Sequence, residues 1–167
     1  MAQTHTAQGW QHYRMSWHDP HRQIEPLHQE IEVVDQALET LVRAGVLPHS
    51  GYDADKMMAH RVAVRDRFDI PWTAISPRMQ RLLYAINAIA QPQVMVAVGI
   101  FCGNTFISNA GAAIGPGAAY QAKHVLGIEI RPREAERARR NVETIHSNDT
   151  ENGTRAEILA TDGVAWL

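Results

Sequence analysis

Two glycines and two carboxylates in the second half of the chain are the residues with chemistry to offer. Gly99 and Gly103 follow an unbroken apolar run, Val94–Val98. They precede a small-residue segment, Asn104 to Ala113, in which Phe106, Ile107, Ala110 and Ile114 recur at helical spacing. Strand, glycine turn and helix start form the first half of a nucleotide-binding unit. Glycine lets the backbone turn tightly and lets a ligand approach, and the helix N-terminus presents unpaired N–H groups. The spacing is G-x-x-x-G with no lysine after it, so neither G-x-G-x-x-G nor G-x-x-x-x-G-K-[ST] is satisfied. Glu129 lies near the end of a second apolar run, 26 positions after Gly103. In a doubly wound sheet it would sit beside the glycine turn, where a carboxylate can accept two hydrogen bonds from a ribose diol. Asp162, followed by Gly163, ends a third run. Plainer roles stay open for each: turn glycines, a surface strand end, and the N-cap of a following helix. Cys102 is the only cysteine and has no nearby His or C-x-x-C partner, so it reads as a small loop residue whose backbone faces the ligand.

Local patterns mark most of the strands and helices around these residues. Val94–Val98 shows no alternation, the pattern of a strand covered on both faces. Ser76-Pro77 is a helix start, with Met79, Leu82, Leu83, Ile86 and Ile89 as its apolar face. Pro132 begins another helix, and residues 146–155 form a polar turn region. Further upstream, Ile24, Leu27, Ile31, Val34, Leu38, Leu41 and Val42 mark an amphipathic helix starting near Pro26 and stopped by Gly45 and Pro48. It can pack on its own domain or on a second subunit. Ser50 or Asp53 can cap the next helix, which runs to about Arg67 with a thin stripe of Met57, Met58, Val62, Val64 and Phe68. Lys56, His60, Arg61, Arg65 and Arg67 make it basic: a solvated face, or a holder of a phosphate-bearing or acidic substrate. Trp72 and Thr73, in the connection that follows, read as lid residues or core anchors. Residues 1–21 are polar, and His18 and His21 form either half a metal site or part of a terminal segment whose aromatics dock on the body.

Residues 97–105, AVGIFCGNT, resemble motif I of the class I S-adenosylmethionine-dependent methyltransferases, in the caffeoyl-CoA O-methyltransferase-like branch. The family pattern is an acidic residue, an apolar residue, then G-[TS]-[FY]-x-G-x-[ST]. This chain departs from it at Ala97, where the acid is expected, and at Ile100, where a small hydroxyl residue is usual. Glu129 followed by Ala138-Arg139-Arg140-Asn141 resembles the second motif, residues 75–83 the family's I-S-P-x-x-x-x-L-L segment, and Asp162 the acid at the third strand end. The resemblance covers residues 75–167. It implies a Rossmann-like doubly wound parallel α/β sheet, of which this chain carries the N-terminal half, preceded by an N-terminal helical segment over residues 1–74. It further implies S-adenosylmethionine as cofactor, held by Gly99, Ile100, Phe101, Gly103, Thr105, Glu129, Ile130, Asp162 and Gly163. Within that set Gly99 and Gly103 serve backbone approach, Glu129 the ribose hydroxyls, and Asp162 with Gly163 the adenine edge. Ala97 leaves the methionine ammonium without the family's carboxylate. A divalent metal, which the catechol-type branch holds at the third strand end, stays open, with Asp162 as one ligand. The reaction implied is methylation, foremost O-methylation, of a small molecule.

Composition bounds the rest. Of 167 residues, 45% are hydrophobic and the formal charge is −2, so no global field favours nucleic acid or an anionic membrane. No apolar run approaches the roughly 18 residues of a membrane span, and no signal-peptide core opens the chain, so a cytoplasmic protein is expected. The expected partner is a small-molecule substrate, with the N-terminal helices available for a homodimer. With three recognisable strands the chain is expected to be part of a longer protein. Two rival functions remain: a binding or scaffold protein that keeps the fold without catalysis, which Ala97 favours, and an NAD-dependent dehydrogenase, which the missing G-x-G-x-x-G disfavours.

Overall fold

The computed structural model of the chain describes residues 21, 25–73, 75–146 and 153–166. Three helices come first: α1 (Leu27–Arg43), α2 (Ala54–Arg67) and α3 (Pro77–Ala90). Then follow β1 (Val94–Val98), α4 (Asn104–Ala110), a 3-10 turn (Gly115–Gly117), β2 (His124–Glu129), α5 (Pro132–Glu143), β3 (Arg155–Ala160) and α6 (Gly163–Trp166). The helix starts follow local chemistry. The Asp53 carboxylate accepts the Lys56 N–H at 2.9 Å, the Ser76 hydroxyl accepts the Met79 N–H at 3.3 Å, and Pro77 and Pro132 stand where a helical N–H would have no partner anyway. The expected helix from Asn104 to Ala113 is shorter, ending at Ala110 before the turn into Gly115.

The strands form a parallel sheet in the order β1-β2-β3, with Val96 opposite Leu126 and Leu126 opposite Glu157. This is the Rossmann-like α/β arrangement expected of the sequence. Helices α4 and α5 lie on one face, where Phe106, Ile107, Ala135, Ala138 and Val142 pack with Val125, Ala156 and Ile158. The same cluster takes in Ala63 and Val64 of α2, with Phe68 and Ile70 after it. Gly163 opens α6 against Val98, and a Cβ at Gly163 would overlap the Val98 side chain. The chain thus begins to cross the other face as it leaves β3, as a doubly wound sheet requires.

Two burial expectations need correction. β1 is not covered on both faces: Val94, Val96 and Val98 are exposed, whereas Met95 and Ala97 pack on the helix side. The apolar run reflects strand type, but among the described residues helices α4 and α5 cover one face only. In α3, Met79 is exposed, and the largest fully buried side chains are Arg81 and Tyr84. The helix is turned by polar anchors: Arg81 reaches Glu30 of α1, and the Tyr84 hydroxyl donates to the Gly117 carbonyl at 2.6 Å. A guanidinium and a phenol are compatible with burial when each finds its partner.

Candidate functional site

The C-terminal strand ends converge on the loop Gly99–Gly103, and its backbone explains the glycines. Gly99 has φ +75° and Gly103 φ +89°, in the region where a side chain is strained. At Gly99 nothing lies within 4 Å of where a Cβ would project, so that side of the backbone is open. Gly103 is closed instead: a Cβ there would stand 3.3 Å from the Ala138 Cβ, so this glycine lets α4 approach α5. Between them Phe101 also adopts positive φ, +52°.

Glu129 organises the loop. One carboxylate oxygen accepts the Phe101 N–H at 2.7 Å, and the other accepts the Arg131 N–H at 3.1 Å and the Arg131 Nε–H at 3.3 Å. The residue is 4% exposed. Burial alone would raise its pKa, but the backbone N–H groups of Arg131 and Phe101, together with the Arg131 side chain, outweigh that and hold the carboxyl below its ordinary value. The bond to Phe101 also satisfies an amide displaced by the positive φ. The Phe101 ring is flanked by Trp72, centroids 4.8 Å apart, and by the Arg131 guanidinium, 5.2 Å from the ring centre.

The other expected site residues occupy different situations. Ile100 is buried and lies over Gly127, so its side chain is core. Thr105 is exposed in the first turn of α4, and Ile130 is exposed beside Glu129. The exposed Asp162 accepts the Val164 N–H at 2.9 Å, the N-cap role weighed for it, and Gly163 packs beneath. Cys102 is buried, which raises its thiol pKa, and its carbonyl is turned to Asn141 rather than to a ligand. Trp72 is partly exposed over Phe101, whereas Thr73 is anchored inside, its hydroxyl accepting from Asn104 Nδ2 at 2.8 Å.

Asn141 is the positioning residue that spacing did not single out. Its amide donates to the Cys102 carbonyl at 2.8 Å and the Asp69 carbonyl at 3.0 Å, and its oxygen accepts the Asp69 N–H at 2.8 Å. It therefore ties the glycine loop, α5 and the segment leading to Trp72 into one unit. The one available signal was its place in the A-R-x-N pattern. Among the described residues no group of three or more His, Cys, Asp or Glu converges as a metal centre would require. His18 lies outside the described residues. No described helix is long and apolar enough to cross a membrane.

Neither protein-family profiles nor curated proteins match the chain. Among solved structures it is similar to an O-methyltransferase from Bacillus cereus in complex with SAH, at 18% sequence identity and a TM-score of 0.38. That match covers 77% of this chain and 50% of the other, so the chain spans about half the length of that protein.

Proposed function

We propose that the chain forms the donor-binding part of an S-adenosylmethionine-dependent methyltransferase acting on a small-molecule acceptor, with oxygen as the atom methylated. The observation that supports this reading is the Glu129 carboxylate, at the end of β2, accepting the Phe101 N–H of the glycine loop at 2.7 Å. It joins the two motifs that the sequence resemblance rests on. The residues fit the donor. Gly99 leaves its outer side open, and Glu129 keeps acceptor capacity beyond its present bonds. The Arg131 side chain, 60% exposed, can leave Oε1 to ribose hydroxyls at little cost. Gly103 and Thr105 would line the start of α4, Phe101 and Ile130 would flank the ribose, and Asp162 with Gly163 would face the adenine edge.

When bound, the donor supplies an activated methyl group on a sulfonium for in-line displacement. What this chain contributes is placement: a rigid loop held by Glu129 and Asn141, and an aromatic wall of Phe101 and Trp72 that limits water. Ala97 offers no carboxylate for the methionine ammonium, so that end of the donor is the weakly held one. Asp162 is the carboxylate a divalent metal would use at the third strand end.

Calorimetric titration with S-adenosylhomocysteine, beside a Glu129→Ala variant, tests the reading. Saturable binding that the variant abolishes supports it. A folded protein that does not bind would move the scaffold reading ahead, and displacement of the ligand by NADH would favour a dehydrogenase.

A further inference from the structure

The basic face of α2 leads to a second site. Glu30 of α1, 4% exposed, accepts from Arg61 Nη1 at 3.0 Å and Nη2 at 2.7 Å, and from Arg81 Nε at 2.6 Å. Arg81 is fully buried, and among the described residues its terminal nitrogens find uncharged partners, the Tyr52 hydroxyl at 3.1 Å and the Met58 sulfur at 3.4 Å. Arg61 spends its remaining contact on the Pro77 carbonyl at 3.0 Å, while its buried Nε has no partner among the described residues. Two cations therefore share one anion, and the cluster keeps one positive charge uncompensated by its own partners. Burying such a surplus is costly unless something answers it.

A cavity of 230 Å³ lies against this cluster. Leu27, Met58, Val62 and Pro77 give it an apolar side, Arg61 and Arg65 line it from successive turns of α2, and His21, Gln80 and the already paired Glu30 complete the lining. The present partner of Arg65 is the adjacent Asp66, at 2.7 Å, in a pair with both side chains more than half exposed. Such a pair exchanges readily for a better-placed anion.

We infer that this cavity is a ligand site separate from the strand ends, and that it takes a small organic monoanion. The oxyanion head is held by Arg61 and Arg65, and a short apolar body lies against Leu27, Met58 and Val62. One negative charge balances the surplus, and the wall chemistry requires more than an inorganic ion.

Two-dimensional NMR titration of the whole chain tests this with three probes: benzoate, inorganic phosphate, and benzyl alcohol. Benzoate should shift the amides of residues 58–65 saturably, with affinity in the millimolar range expected of so small a ligand. Phosphate, lacking the body, and benzyl alcohol, lacking the charge, should each bind more weakly. Arg61→Gln also strips Glu30 of two bonds, so the test rests on exposed positions. Arg65→Gln should weaken benzoate about three- to fivefold. Val62→Asp, which places a carboxylate in the wall, should weaken it by at least about tenfold. Glu129→Ala should leave benzoate binding unchanged, which separates this inference from the methyl-donor reading. The inference fails if the folded protein shows no saturable shift by roughly 20 mM benzoate, a concentration well above a millimolar dissociation constant. It fails equally if either probe control binds as well as benzoate, or if both cavity variants bind it unaltered.

Discussion

Glu30 and Glu129 are both 4% exposed, and both carboxyls are held below their ordinary pKa, yet they are built for different work. At Glu30 burial pushes the pKa up, and the side chains of Arg61 and Arg81 override it. These partners come from α2 and α3, so Glu30 welds three helices and has no bond it can surrender. At Glu129 the override comes first from backbone N–H groups, of Arg131 and of Phe101. The one side chain that adds to them, Arg131, is mostly exposed. A carboxylate neutralised by buried guanidinium groups is a structural joint. One held by amides, with an exchangeable cation beside it, can turn to a ligand's hydroxyls without unfolding anything.

The largest effect expected from this contrast is at Glu30. Glu30→Ala leaves two guanidinium groups facing each other and should cost about 3–5 kcal/mol of unfolding free energy in urea. A loss no greater than that of an average surface substitution would erase the distinction. Acid should probe the helical region next. His60 is stacked on Tyr84 (centroids 5.7 Å apart) and is pressed by two glycines: a Cβ at Gly111 would overlap the ring, and one at Gly117 would overlap the His60 Cβ. Burial, aided by the neighbouring Arg61 charge, lowers its pKa from 6.5 to about 4. The folded state then binds fewer protons than the unfolded chain, so stability is full above pH 6.5 and falls as pH drops toward 4, by up to about 3 kcal/mol. Glu30 and Glu129 titrate from 4.5 downward, so the upper part of that window belongs to His60. Thermal melts from pH 7 to 4.5 should show the decline in the natural protein and a flatter profile in His60→Gln.

At Glu129 the stability effect should be smaller and the binding effect larger. Glu129→Ala strands the Phe101 N–H and should cost about 1–3 kcal/mol while abolishing S-adenosylhomocysteine binding. Smallest of all is Arg131→Ala, with a stability change under about 0.5 kcal/mol and equal or tighter ligand binding, because an exposed competitor leaves the carboxylate. Weaker binding in that variant would show that Arg131 holds the ligand rather than yields to it.

Much of the backbone plan was readable because its causes are local. Asp53 caps α2 through a residue three positions on, Ser76-Pro77 starts α3, and the positive φ at Gly99 and Gly103 fits residues without a Cβ. The strand order follows from parallel crossovers through α4 and α5. What stayed hidden depends on partners distant in sequence. Arg81 looks like a surface residue until Glu30, 51 positions away, arrives to neutralise it. Asn141 is one polar residue among many on α5 until Asp69 and Cys102 come within its reach. The exposure of the β1 valines follows from which face α4 and α5 cover, which no apolar run records. Turns and helix caps could be read from the chain directly, since their energies are settled within a few residues. Which charges are buried together and which carboxylate stays available emerged with folding, since desolvation and pairing depend on groups that folding alone brings into contact.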